Sequence, residues 1–106
     1  MKRRTLDTAL DGDAALDALA QVVARLRSAD EVRAFLADLC TPAELQALCD
    51  RWRVVPLLIQ GLPYREIHEQ TAVSTTTITR VARTLAGGEG GYAVAARRLG
   101  HRPPSH

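Results

Sequence analysis

Ser74-Thr75-Thr76-Thr77-Ile78-Thr79-Arg80, STTTITR, is the stretch whose reading decides the fold. Residues 75–79 are all β-branched, a composition that favours a pleated strand. The flanking segments QTAV (70–73) and VARTLAGG (81–88) point the other way. Ile78, Val81, Ala82 and Leu85 recur at i, i+3, i+4 and i+7, the apolar stripe of a helix. A helix from Ser74 to Leu85 follows, with Thr76, Thr79, Arg80 and Arg83 facing outward. Each threonine gives up a few tenths of a kcal/mol of helix propensity, roughly, relative to alanine. A helix of this composition is chosen for what its outer face touches.

Upstream, Pro63 opens a short helix from Tyr64 to about Gln70, and a brief connection leads to Ser74, a good N-cap. Two short helices so joined read as a helix-turn-helix over residues 64–85. Ile67, Val73, Ile78 and Val81 fall where one helix must be pinned across the other, and Tyr64 and Leu85 extend that cluster. Two positions depart from the usual pattern. Ala72 stands where the turn usually has glycine, at a cost of about 1 kcal/mol if its backbone is left-handed. His68 stands where a small residue is usual. It reads as a surface or packing residue, because the other histidines, His101 and His106, lie in the C-terminal tail.

Helical spacing covers the rest of the chain, so the fold class is all-α. Asp13 caps a first helix with Leu16, Leu19, Val23 and Leu26 on one stripe. Ser28 and Glu31 form a capping box for a second, which turns Val32, Phe35, Leu36 and Leu39 inward. Thr41-Pro42-Ala43-Glu44 starts a long helix that should end at Gly61. Its stripe is Leu45, Leu48, Trp52, Val55 and Ile59, and Pro56 should kink it. Gly87-Gly88 stops the threonine helix, and a last helix spans Tyr92 to Leu99. The organisation is a flexible arm (1–12), a helical domain (13–99) and a disordered tail (100–106).

The chain has 106 residues, the size of one domain, with a formal net charge of +2 that hides an asymmetry. Residues 1–50 hold six Lys/Arg against nine Asp/Glu, a net of −3, and residues 51–106 hold eight Arg against three Glu, a net of +5. An arginine-only basic half suits phosphate and base-edge contacts; a solvated surface explains the charge equally well. The few aromatics make a thin core that favours an oligomer. Cys40 and Cys49 have neither the spacing nor the number for a disulfide framework or a zinc site, and read as small buried thiols. MKRR is followed by no apolar stretch of the kind a signal peptide needs, and no apolar run reaches a membrane span. The expected compartment is the cytoplasm, with no metal and no membrane partner.

Residues 39–92, from Leu39 through TPAE, QGLPYREI and TITR to Tyr92, resemble the Trp repressor superfamily, in particular its bacterial branch of TrpR-related YerC/YecD proteins. The resemblance implies an intertwined homodimer in which each subunit contributes one helix-turn-helix, and it places Phe35 and Trp52 in the core or at the dimer interface. It also implies an effector pocket, because Thr41, Arg51 and Arg80 match the threonine and two arginines that hold tryptophan in Trp repressor itself. Val81 replaces the glycine after the second arginine and Thr84 replaces a serine. A valine side chain enters the space the indole ring needs, so tryptophan is not the expected effector; another small effector stays open. Arg51 can instead serve phosphate or an intersubunit contact.

Three functions compete. The first is a homodimeric, sequence-specific regulator of transcription, a repressor, that binds double-stranded DNA. Arg65, Ser74, Thr75, Thr76, Thr79, Arg80 and Arg83 would form its DNA-binding surface, with Thr75 in the first turn where the positive helix end meets phosphate. The second is a protein-interaction module that has the helix-turn-helix shape without DNA affinity and uses the acidic N-terminal half. The third, an enzyme, is not expected: no nucleophile–base arrangement falls on rigid elements, and GGEGG (87–91) follows a helix rather than a strand.

Overall fold

The computed structural model describes residues 8–104, and the chain divides into two compact units, residues 1–41 and 42–106. The first holds α1 (Thr8–Arg25) and α2 (Ala29–Leu39). The second holds α3 (Pro42–Ile59), α4 (Tyr64–Thr71), α5 (Thr75–Gly87) and α6 (Gly91–Arg98). Among the described residues there is no strand, as the spacing predicts.

In the first unit, α1 already includes Thr8, where the described residues begin, so Asp13 lies inside the helix and does not cap it. Ala9 and Leu10 are strong helix formers, and Gly12, at a cost of about 1 kcal/mol, is too small a defect to break the helix. Of the expected N-terminal arm, residues 8–12 are therefore helical, and residues 1–7 lie outside the described residues. The α1 stripe finds no cover in its own unit: Leu16 is 62% exposed, and Leu19, Val22 and Val23 are also exposed. Ser28 caps α2, and Glu31 reaches back one residue beyond the cap, to Arg27, rather than to Ser28 as the capping box has it. Ser28 Oγ accepts from the Glu31 N–H at 3.1 Å, while Glu31 Oε1 accepts from the Arg27 N–H at 2.8 Å. No residue of α2 is fully buried; Val32, Phe35 and Leu36 are half-buried and Leu39 is exposed.

The second unit has a core of its own. Val54 and Val55 from α3, Ile67 from α4, Val73 from the turn, Ile78 and Val81 from α5 and Ala96 from α6 are buried together. Helix α3 packs against α4, α5 and α6, and α4 packs against α5. The long helix begins at Pro42, runs unbroken through Pro56 to Ile59 and is closed at Gly61, whose φ of +86° supplies the left-handed residue. The Leu62 N–H bonds to the Leu57 carbonyl at 3.2 Å and the Gly61 N–H to the Leu58 carbonyl at 2.9 Å, the two bonds of a Schellman stop.

The observed core differs from the expected one at both ends of α3. Of the stripe Leu45, Leu48, Trp52, Val55 and Ile59, only Val55 is fully buried, and Val54 joins it. Helices α4 to α6 are short and cover the C-terminal part of α3, which leaves Leu48 40% exposed. The same lack of cover corrects the reading of the cysteines: Cys49 is exposed and Cys40 half-buried, both as free thiols. Tyr64, the first residue of α4, is exposed and does not extend the cluster; Tyr92 packs against it instead.

Helix α6 closes on a second Schellman stop, with Gly100 at φ +84° and the His101 N–H bonded to the Ala96 carbonyl at 2.9 Å. The segment expected to be a disordered tail then turns back, and His101 to Pro104 line an open groove with Ile59, Leu85, Ala93 and Arg97. Residues 105 and 106 lie outside the described residues.

Ile78 anchors α5 in this core with no exposed surface. Ile78→Ala should destabilise the protein by about 2–5 kcal/mol in chemical denaturation. A loss under about 1 kcal/mol would show that the site is not close-packed.

Candidate nucleic-acid interface

The presentation of α5 is decided in the turn that precedes it. Ala72 adopts a left-handed backbone, φ 63° and ψ 7°, and its N–H closes α4 on the His68 carbonyl at 2.8 Å. The glycine-type conformation expected at this position is thus present without glycine. Thr71, which is buried, donates from Oγ1 to the Ile67 carbonyl at 2.7 Å and accepts from the Val73 N–H at 3.1 Å. His68 Nδ1 donates to the Val73 carbonyl at 2.7 Å, which assigns the ring proton to Nδ1. Both backbone polar groups of Val73 are therefore satisfied by side chains of α4, and the Val73 side chain is free to enter the core.

Ser74 then caps α5. Its Oγ accepts from the Thr77 N–H at 3.2 Å and donates to Thr77 Oγ1 at 3.1 Å. At the other end α5 runs two residues past the expected Leu85, to Gly87, and stops at Gly88. A Cβ on Gly88 would lie 2.7 Å from the Thr84 carbonyl oxygen, so the backbone can make this close return only where there is no side chain.

Between the caps the helix divides by face. Ile78 and Val81 are fully buried, and Ala82 and Leu85 are half-buried. Thr75, Thr76, Arg80 and Arg83 are exposed, and Thr79 is half-buried at the edge of the same face. No acidic residue occurs anywhere in α5. Thr79 Oγ1 donates back to the Thr75 carbonyl at 2.9 Å, which fixes the rotamer of a side chain on that face. Arg65 is exposed on α4, one turn before His68. Ser74, Thr75, Thr76, Thr79, Arg80 and Arg83 are thus brought together on one helix, and Arg65 on its neighbour.

The residues matched to an effector pocket come from different segments of the chain. Arg51 is half-buried on α3, Arg80 is exposed on α5, and Thr41 is exposed just before α3. Val81, 1% exposed, is wholly committed to the core. The groove of about 600 Å³ at Ile59, Leu85 and Arg97 includes none of Thr41, Arg51 and Arg80. Among the described residues, no cluster of His, Cys, Asp or Glu could hold a metal ion.

Sequence reasoning missed the work of His68 and Thr71. A threonine and a histidine flanking a turn that lacks its glycine were the available signal, since both can bond backbone groups that such a turn leaves open.

Two short helices meeting at a tight, side-chain-braced turn, the second buried on one face and cationic on the other, define a helix-turn-helix protein. Residues 14–100 match the family described as Trp repressor protein, and the chain belongs to that family. It is 38% identical over 84 residues to the YerC protein of Bacillus subtilis (strain 168), across 79% of this chain and 81% of that one. A candidate Trp repressor from Staphylococcus aureus superposes with a TM-score of 0.78 at 36% identity, across 84% of this chain and 89% of that one. A TrpR-like protein from Eubacterium eligens ATCC 27750 gives 0.77 at 37% identity, across 84% and 92%. The all-α, Trp-repressor-like fold is that of the family.

Ser74→Ala removes the N-cap acceptor of α5 and should cost about 1 kcal/mol of stability. Denaturant titration checks it; an unchanged midpoint would mean that the Thr77 N–H is satisfied without Ser74.

Proposed function

We propose that the protein is a homodimeric, sequence-specific regulator of transcription that binds double-stranded DNA through α5 and acts as a repressor. The observation that carries this reading is the outer face of α5. Thr75, Thr76, Thr79, Arg80 and Arg83 share it, without an acidic residue, on a helix whose opposite face is locked in a core. Arginine can bond guanine O6 and N7 or a phosphate through two parallel N–H groups. Threonine brings a hydroxyl for base edges or phosphate and a methyl that packs on the thymine methyl. The first turn of α5, at Thr75 and Thr76, directs unpaired backbone N–H groups at whatever approaches it, an arrangement that favours phosphate.

The dimer is supported by the first unit. Its long helix carries Leu16, Leu19, Val22 and Val23 uncovered, and its second helix has no fully buried residue. Apolar surface of this extent on helices with no core of their own calls for a partner, and a second copy supplies one by symmetry. Two copies would place two α5 helices for half-sites about one helical turn apart. Among the described residues no helix is long and apolar enough to cross a membrane; the proposed place of action is DNA in the cytoplasm. The protein is read as a binding protein rather than an enzyme.

Selection of the purified protein against a randomised duplex pool tests this reading directly. An enriched motif with two inverted half-sites about one turn apart is expected, with affinity that falls steeply as salt rises. Arg80→Ala should weaken binding to that motif by about 1–3 kcal/mol while the fold is kept. Absence of any enriched motif, together with salt-insensitive or undetectable binding, would favour the protein-interaction module. Leu16→Asp with Leu19→Asp should convert the dimer to monomer in sedimentation; an unchanged mass would remove α1 from the interface.

A further inference from the structure

A helix-turn-helix needs a tight corner, yet it does not need that corner to be bonded from the side. Here it is bonded twice: Val73 N–H to Thr71 Oγ1 at 3.1 Å and Val73 C=O to His68 Nδ1 at 2.7 Å. Thr71 is further tied to the Ile67 carbonyl at 2.7 Å, which fixes its hydroxyl so that a lone pair faces the Val73 N–H. Both side chains project from the last turn of α4, and the residue they grip is the one immediately before the N-cap of α5. Rotation of the peptide units around Val73 would swing α5 as a body. The two bonds oppose that rotation.

The backbone at Ala72 gives the brace a purpose. Its φ of 63° lies in the left-handed region, where a Cβ is disfavoured and glycine is not. An alanine turn therefore tends to leave this conformation unless neighbouring groups hold it. The Ala72 N–H bond to the His68 carbonyl, at 2.8 Å, and the two side-chain bonds to Val73 are the groups that hold it.

We propose that His68 and Thr71 are positioning residues that lock the turn before any ligand binds, so that α5 is presented for DNA without a small-molecule effector. The functional half of this inference rests on the DNA-binding reading above; the lock itself does not. The physical link is population. A binding-competent state that exists for only a fraction of the time lowers the apparent affinity by that fraction, and a turn held shut removes the loss. One net hydrogen bond changes such a population by about two- to tenfold.

The test uses the full-length protein with four sequences: wild type, His68→Leu, His68→Asn and Thr71→Val. Leucine keeps bulk but has no donor. The asparagine amide can place an N–H near the position of Nδ1. Two quantities are read: amide hydrogen exchange without DNA or added small molecules, and affinity for the selected duplex. In wild type the Val73 amide and the α5 amides from Ile78 to Arg83 should be protected, and dialysed cell metabolites should change DNA affinity less than about twofold. His68→Leu should speed exchange at Val73 and Ile78 and weaken DNA binding about two- to tenfold, while the α3 and α6 amides keep their rates. His68→Asn should restore both readings. Thr71→Val leaves the Val73 N–H unpaired in a buried place and should weaken binding at least as much as His68→Leu.

Fast exchange across α5 in ligand-free wild type would overturn the proposal, as would a requirement for metabolites. So would His68→Leu behaving as wild type, or His68→Asn behaving as His68→Leu. A wild type that selects no duplex, with or without metabolites, while its exchange rates follow the pattern above, would sink the DNA-binding reading and uphold the lock.

Discussion

Val73 is the residue on which the arrangement of the second unit depends. It sits between two helices that must meet at an angle, its side chain is needed in the core, and its peptide groups are drawn inward with that side chain. A peptide group so placed loses water and must find partners within the protein. Thr71 and His68 provide them, one for the N–H and one for the carbonyl. Once Val73 is fixed, Ser74 is fixed as N-cap, and the direction of α5 follows. Ile78 and Val81 then settle against Val54, Val55 and Ile67, and the face that bears Arg80 and Arg83 is turned out. Among the described residues no buried side-chain polar atom lacks a partner.

The two units manage apolar surface in opposite ways. The second closes around seven buried residues, small and β-branched for the most part, with half-buried Trp52, Leu58, Leu85 and Tyr92 at its margin. The first leaves Leu16, Leu19, Val22, Val23 and Leu39 in the open. Composition foreshadows this contrast, because few aromatic residues limit how much surface a chain of this size can hide by itself. Leu16, Leu19, Val22 and Val23 lie along one stripe of α1 and are not scattered singly, as the proposed dimer requires.

Much of this was legible in the sequence. Thr41-Pro42 and Gly61 mark α3 to within two residues, because proline at the first helical position and glycine shortly past the last act through local geometry alone. Ser28 and Ser74 were readable as caps for the same reason. The division of α5 into faces came from spacing. The misreadings share a cause. Leu48, Tyr64 and Cys49 were assigned to the interior by residue type and period, but burial also needs a neighbour of sufficient length, and α4 and α6 are short. Asp13 misled because a capping residue can also stand inside a helix when the residues before it favour helix. The bonds of His68 and Thr71 were hidden for a further reason: a side chain that bonds a backbone group across a turn leaves no periodic trace.

The threonines of α5 can now be weighed as a choice rather than an anomaly. Ser74 and Thr77 bond to each other at the N-cap, so Thr77 is engaged with the helix start and half-buried. Thr79 and Thr84 spend their hydroxyl protons on the carbonyls one turn back, at 2.9 and 3.1 Å. A hydroxyl so engaged keeps its acceptor lone pairs, and its rotamer is held. Beside Arg80 and Arg83, which only donate, Thr79 therefore adds acceptor and methyl character to the outer face. Major-groove edges display acceptors, donors and the thymine methyl in patterns that differ for each base pair. On the DNA-binding reading, a helix of lysine and alanine would be a better helix and a poorer reader. The propensity lost at each threonine, roughly a few tenths of a kcal/mol, is offset by a cap at Ser74, a braced turn at Val73 and a buried inner face.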